Sequence, residues 1–193
     1  MDYTPTTALV VVDVQNDFAD PDGSLFVAGG HAAIPFINKQ IEAAGASSAI
    51  VVYTRDWHPD TTPHFAKDGG IWPVHCVGDT WGSDFHPDLL VSGPEIKKGT
   101  GGEDGYSGFS VRNPETGTRA ATGLEDLLRD AEVNDVVVVG LATDYCVKET
   151  ALDAARLGFT TTVLADGIRS VNLNPGDGAR AIAELVVAGV EVE

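Results

Sequence analysis

Four stretches of the chain are apolar without alternation: "ALVVVDV" (8–14), "AIVVYT" (49–54), "DVVVVGLA" (135–142) and "FTTTVLAD" (159–166). A strand with one wet face alternates, whereas a strand covered on both faces reads as a continuous run rich in β-branched residues. The four are therefore predicted to be buried strands. A less apolar run, "EIKK" (95–98), and a closing "VEVE" (190–193) are two further candidates.

Helical spacing fills the intervals. "HAAIPFINKQIEAAG" (31–45) puts Ile34, Ile37 and Ile41 on one face. "TGLEDLLRDAEV" (122–133) opens with Thr122 and Glu125 at capping-box spacing, and "TDYCVKETALDAARLG" (143–158) stops at a glycine. A last helix is expected after Pro175. Strand and helix alternate, which predicts a mostly parallel sheet with helices on both faces. Residues 55–94 break the pattern: this long connection is rich in Pro, Gly, His and Trp, and loops of that length in compact domains are usually functional. With no repeat, low-complexity tract or linker, residues 1–193 are expected to form one domain.

Open α/β sheets bind their ligands beyond the carboxyl ends of the strands. Asp13 ends the first run, Asp56 follows the second, Lys98 ends "EIKK" and Cys146 lies just past the run 135–142. In a parallel sheet these four side chains gather at one edge.

Composition narrows the partners. Twelve Lys and Arg against 29 Asp and Glu give a net charge of −17, which repels phosphate backbones and anionic membranes. No basic leader precedes the first apolar run, and no stretch is long and apolar enough to span a bilayer, so a cytosolic location is expected. Cys76 and Cys146 are too few and too badly spaced for a disulfide framework and are read as free thiols.

In "LATDYCVKET" the helix is expected to start with Thr143 as N-cap, placing Cys146 in the first turn. Amides and dipole there favour an anion and can bring a thiol from about 8.5 to roughly 3.5–7.5. The same amides could hold the oxyanion of a tetrahedral adduct. Asp13 could accept the thiol proton and return it to a leaving amine. Of Lys97 and Lys98, the second lies nearer the carboxyl edge and is the candidate cation for holding both groups charged.

"RDWHPDTTPHF" and "WPVHC" supply Asp56, His58, His64 and His75. Two residues apart at a strand end, Asp56 and His58 face the same side. A carboxylate with imidazoles suits Zn, Fe or Mn with a position left open, and the lack of thiolates argues against a closed structural zinc site. His64 is either a ligand or a partner acting through water. His31, His86 and Cys76 are read as structural. Phe18, Trp57, Trp72 and Tyr106 could wall a slot for a flat ring.

With "DVQNDF", "RDWHPDTTPHF", "WPVHC", "KKGTGGEDGYSGF" and "GLATDYCVKETALDA" in this order, the chain resembles the nicotinamidase (pyrazinamidase) branch of the isochorismatase-like cysteine hydrolases. The resemblance implies a three-layer α/β/α fold with a six-stranded parallel sheet. It implies Asp13, Lys98 and Cys146 as a catalytic triad, a cis peptide between Leu141 and Ala142, and the amides of Ala142 and Cys146 as an oxyanion hole. Asp56, His58 and His75, with His64 a further candidate, correspond to ligands of one divalent metal, and Phe18, Trp72 and Tyr106 to the ring pocket. The implied reaction is hydrolysis of a small amide, nicotinamide or pyrazinamide, through a thioester; the metal engages the pyridine nitrogen and does not generate hydroxide. Segment 99–105 varies in that family and is given no role. Three alternatives stay open: another small-amide hydrolase or isochorismatase activity, a metallohydrolase in which Cys146 merely packs, and a silent binding module. Apolar surface helices hint at a homo-oligomer.

Overall fold

The computed structural model describes residues 1–193. Eight strands and five helices follow in the order β1 (Thr7–Val12), α1 (Asn16–Ala19), α2 (Gly30–Ala46), β2 (Ile50–Asp56), β3 (Glu95–Lys98), β4 (Ser110–Arg112), β5 (Arg119–Ala121), α3 (Leu124–Asp130), β6 (Asp135–Leu141), α4 (Lys148–Arg156), β7 (Thr160–Arg169), α5 (Asp177–Val187) and β8 (Glu191–Val192). Six strands form one sheet in the order β3-β2-β1-β6-β7-β8, and every pairing in it is parallel.

Along β1 the side chains divide between two cores. Leu9 and Val11 pack with Ile34, Ile37 and Ile41 of α2, while Ala8, Val10 and Val12 pack with Leu124 and Leu128 of α3, Ala151 of α4 and Leu185 of α5. This two-sided burial is the physical reason the strands read as unbroken apolar runs, and each fully buried Leu, Ile or Val contributes about 1.5–3 kcal/mol relative to exposure. The predicted three-layer arrangement is present.

Local readings differ at two helix starts. Thr122 does not cap α3: Gly123, in the left-handed region at φ 96°, is the N-cap, and the Thr122 hydroxyl accepts the Leu124 amide at 3.2 Å while donating to Gly108 O. Ala142, not Thr143, is the N-cap beside the cysteine. Residues Thr143–Val147 then form a wide turn in which the Val147 amide bonds back to Ala142 O at 3.1 Å, and α4 continues from it. The antiparallel hairpin β4–β5 carries no apolar pattern, because its residues are mostly exposed, and it was not anticipated.

Close packing at the carboxyl edge depends on one glycine in particular. Gly140 has φ 115°, and a Cβ there would stand 2.1 Å from Val12 O, so only glycine lets β1 and β6 run together immediately before the turn that carries Cys146.

Candidate active site

Parallel register delivers the site. Asp56 and Lys98 are partners across β2 and β3, Asp13 follows β1, and Cys146 lies in the turn after β6. Lys98, wholly buried, brings its Nζ to 2.7 Å from Asp13 Oδ2, 3.4 Å from Asp56 Oδ1 and 3.6 Å from Cys146 Sγ, and also donates to the Gly105 carbonyl. Thr54 Oγ1 donates to the other Asp13 oxygen at 2.6 Å. Lys97 lies instead over the Trp57 ring.

The electrostatics differ from expectation in one respect. Burial pushes the Cys146 thiol well above its ordinary value; Lys98 pulls it down, but Asp13 and Asp56 add to the rise. Desolvation thus outweighs the helix-start effect and favours the neutral thiol. For Asp13, burial raises the carboxyl, Lys98 opposes the rise and Asp56 adds to it. For Lys98, burial alone would lower the value, yet Asp13, Asp56 and Cys146 together hold it well above the lysine range, so it stays an ammonium. In Asp56 the effect of burial is overcome by Lys98 and His58, and its carboxyl lies well below the usual range.

Asp56 Oδ2 is 3.2 Å from His58 Nε2 and 3.4 Å from His75 Nε2. One nitrogen from each of His58, His64 and His75 lies within 4.8 Å of the others, and all three residues are buried. Two of these rings have their remaining nitrogen committed: His75 Nδ1 donates to Pro73 O at 2.7 Å, and His64 Nδ1 to Asp104 Oδ1 at 2.9 Å. Three imidazoles and a carboxylate converging in a buried spot fit a divalent cation. His64 thus joins the group. His31 is exposed, while His86 is buried near Asp20 and Asp88, away from the cluster.

A pocket opens beside both groups. Phe18, Trp72 and Tyr106 line it, together with Leu25, Tyr145 and Val171, and Asp56, His64, His75, Ala142 and Cys146 also face it. Trp72 donates to the Tyr106 hydroxyl at 2.9 Å and meets Tyr145 edge-on at 4.8 Å between centroids. Trp57 is a correction: it is absent from this lining and stacks instead under Arg55 and Lys97. The peptide between Leu141 and Ala142 is cis.

Sequence reasoning missed the residues that hold the loop 55–94 in place. Gln15 donates to Asp56 O at 2.8 Å and Ser83 O at 2.9 Å and accepts the Asp56 amide at 2.8 Å. Asn16 donates to Trp81 O, and Asp17 accepts the Cys76 amide at 2.6 Å, next to His75. Their signal was "QND", three polar residues directly after a buried strand. Tyr145 was signalled by nothing more than its place beside Cys146.

A buried thiol thus lies beside an ion-paired carboxylate and ammonium at the carboxyl edge of an open parallel sheet. The chain belongs to the isochorismatase family: the Isochorismatase domain profile matches residues 7–193. It is 41% identical over 189 residues to the nicotinamidase/pyrazinamidase of Mycobacterium tuberculosis, covering 96% of this chain and 97% of that protein. The crystal structure of pyrazinamidase of Pyrococcus horikoshii in complex with zinc superposes with a TM-score of 0.87 at 39% identity, covering 98% of this chain and 99% of that one. PnC1 from L. infantum in complex with nicotinate gives 0.89 at 35% identity, covering 100% and 95%.

Proposed function

We propose that this chain is an amidohydrolase that converts nicotinamide to nicotinate and ammonia, and accepts pyrazinamide, with Cys146 as nucleophile. The observation that carries the reading is the Lys98 ammonium, 2.7 Å from Asp13 and 3.6 Å from Cys146 Sγ, at the wall of an aromatic pocket. The names of the similar proteins, and the nicotinate bound in one of them, support the choice of substrate.

In the mechanism we assign, Asp13 takes the Cys146 proton while Lys98 keeps its own and stabilises both anions in turn. The thiolate attacks the amide carbon, and the amides of Ala142 and Cys146 receive the developing oxyanion. Asp13 returns its proton to the departing nitrogen, ammonia leaves and a thioester remains. Water, deprotonated by Asp13, hydrolyses the thioester to nicotinate and frees the thiol. Phe18, Trp72 and Tyr106 hold the ring. Asp56, His58, His64 and His75 would hold one divalent ion, zinc in our assignment, which would supply a Lewis acid at the wall of the ring pocket. A nucleophile that must stay reduced suits the cytoplasm, and no helix is long and apolar enough to cross a membrane. Ammonia release from nicotinamide, followed with and without chelator, tests the reading; purified protein that releases none under either condition or after zinc addition refutes it.

A further inference from the structure

Segment 99–105 joins β3 to the loop before the β4–β5 hairpin, and its anchors reach the backbone of His64, the Lys98 ammonium and Arg112 of the hairpin. Thr62 Oγ1 donates to Gly102 O at 2.8 Å and accepts the His64 amide at 3.2 Å, so the segment is tied to the backbone that carries His64. At the far end the Gly105 carbonyl accepts Lys98 Nζ. Between them Asp104 exchanges both backbone hydrogen bonds with Arg112, at 2.8 and 2.9 Å, and the Arg112 guanidinium lies 3.8 Å from its Oδ2. The remaining oxygen, Oδ1, sits 2.9 Å from His64 Nδ1.

A neutral imidazole carries one proton, and only its other nitrogen can bind a cation. The His64 ring is stacked on His58 at 4.7 Å and 24°. Stacking fixes the plane of the ring but permits a half-turn about Cβ–Cγ, which exchanges Nδ1 with Cδ2 and Nε2 with Cε1, and it does not choose which nitrogen carries the proton. The acceptor at Asp104 removes that freedom. Resting on the metal-site reading above, we propose that Asp104 is a positioning residue: it holds the Nδ1 proton of His64, so that Nε2 is the nitrogen offered to a divalent cation beside His58 and His75. The corresponding bond of His75 goes to a backbone carbonyl; Asp104 is a side chain and can be tested by substitution.

Outer partners of ligating histidines typically change metal affinity by about 10- to 100-fold when removed. Zinc affinity of the metal-free full chain, measured by competition with a chromogenic chelator, is expected to fall by about that factor in Asp104→Ala, and by less in Asp104→Asn, which keeps an acceptor oxygen. His64→Ala also weakens binding, and adding Asp104→Ala to it causes no further loss, because the two act through one bond. Wild-type affinity in Asp104→Ala overturns the proposal, as does full additivity of the two substitutions. Asp104→Ser, too short to reach the ring, gives the same readings where the alanine variant fails to fold. A wild-type chain that binds no zinc refutes the metal site itself, an outcome distinct from a wild type that binds zinc and an Asp104→Ala variant that binds it equally well.

Discussion

Lys98 Nζ and Asp13 Oδ2 lie 2.7 Å apart with both side chains fully shielded from water. Breaking such a pair strands an uncompensated charge, at a cost of roughly 3–5 kcal/mol. Lys98→Met, close in volume, is therefore expected to lower the denaturation midpoint markedly and to remove amidase activity; thermal melting and ammonia release measure the two effects. A variant as stable as the wild type would show that the pair is not buried as described.

Removal of the sulfur is expected to be more selective. Cys146→Ala should leave melting nearly unchanged and reduce kcat on the order of 10⁴-fold or more, as loss of a covalent nucleophile does. Residual turnover near the wild-type rate would take the thiol out of the scheme.

The two cysteines should separate on alkylation. Cys76 is wholly buried and burial pushes its thiol up, whereas Cys146 faces the pocket. Intact-mass analysis after iodoacetamide should show one adduct, mapped to Cys146, and nicotinamide should slow its formation. Because burial also raises the Cys146 thiol, thiolate is scarce at neutral pH and labelling should accelerate as pH rises. Labelling faster than a free thiol at pH 7 would contradict this.

Thr54 donates to Asp13 Oδ1 and lowers its carboxyl. Thr54→Val removes the donor, so the carboxyl rises further and the acid limb of the kcat/KM profile should move to higher pH. The lost hydrogen bond to a charged group should cost about 1.5–3 kcal/mol in urea unfolding. An acid limb that stays in place, or moves down, assigns it to another group.

Gly105 offers a steric test. A Cβ there would stand 2.8 Å from Lys98 Cβ and 3.1 Å from Asp56 Oδ1. Gly105→Ala should displace both side chains, costing about 1–3 kcal/mol and lowering kcat, while Gly45→Ala, whose Cβ meets nothing within 4 Å, serves as control.

The sheet was legible because burial on both faces writes itself directly into composition: "ALVVVDV" and "DVVVVGLA" could hardly be anything else. The site was legible through the rule that ligands collect at strand ends, which places Asp13, Asp56, Lys98 and Cys146 at one edge of a parallel sheet. What stayed hidden depends on distance in space. Nothing in "DVQNDF" says that Gln15 will bond Asp56 and Ser83, nothing in "GGEDGY" says that Asp104 will meet His64, and the exposed hairpin β4–β5 has no buried face to leave a pattern. The thiol was misjudged for a related reason: a helix start is visible in sequence, but the desolvation that outweighs it is a property of the assembled pocket.

Asp56 divides its two oxygens, one toward Lys98 and the other toward His58 and His75. The Lys98 ammonium and the histidine cluster therefore share one carboxylate. A substitution at position 56 disturbs the charge balance of both neighbourhoods at once, so the two are electrostatically one unit.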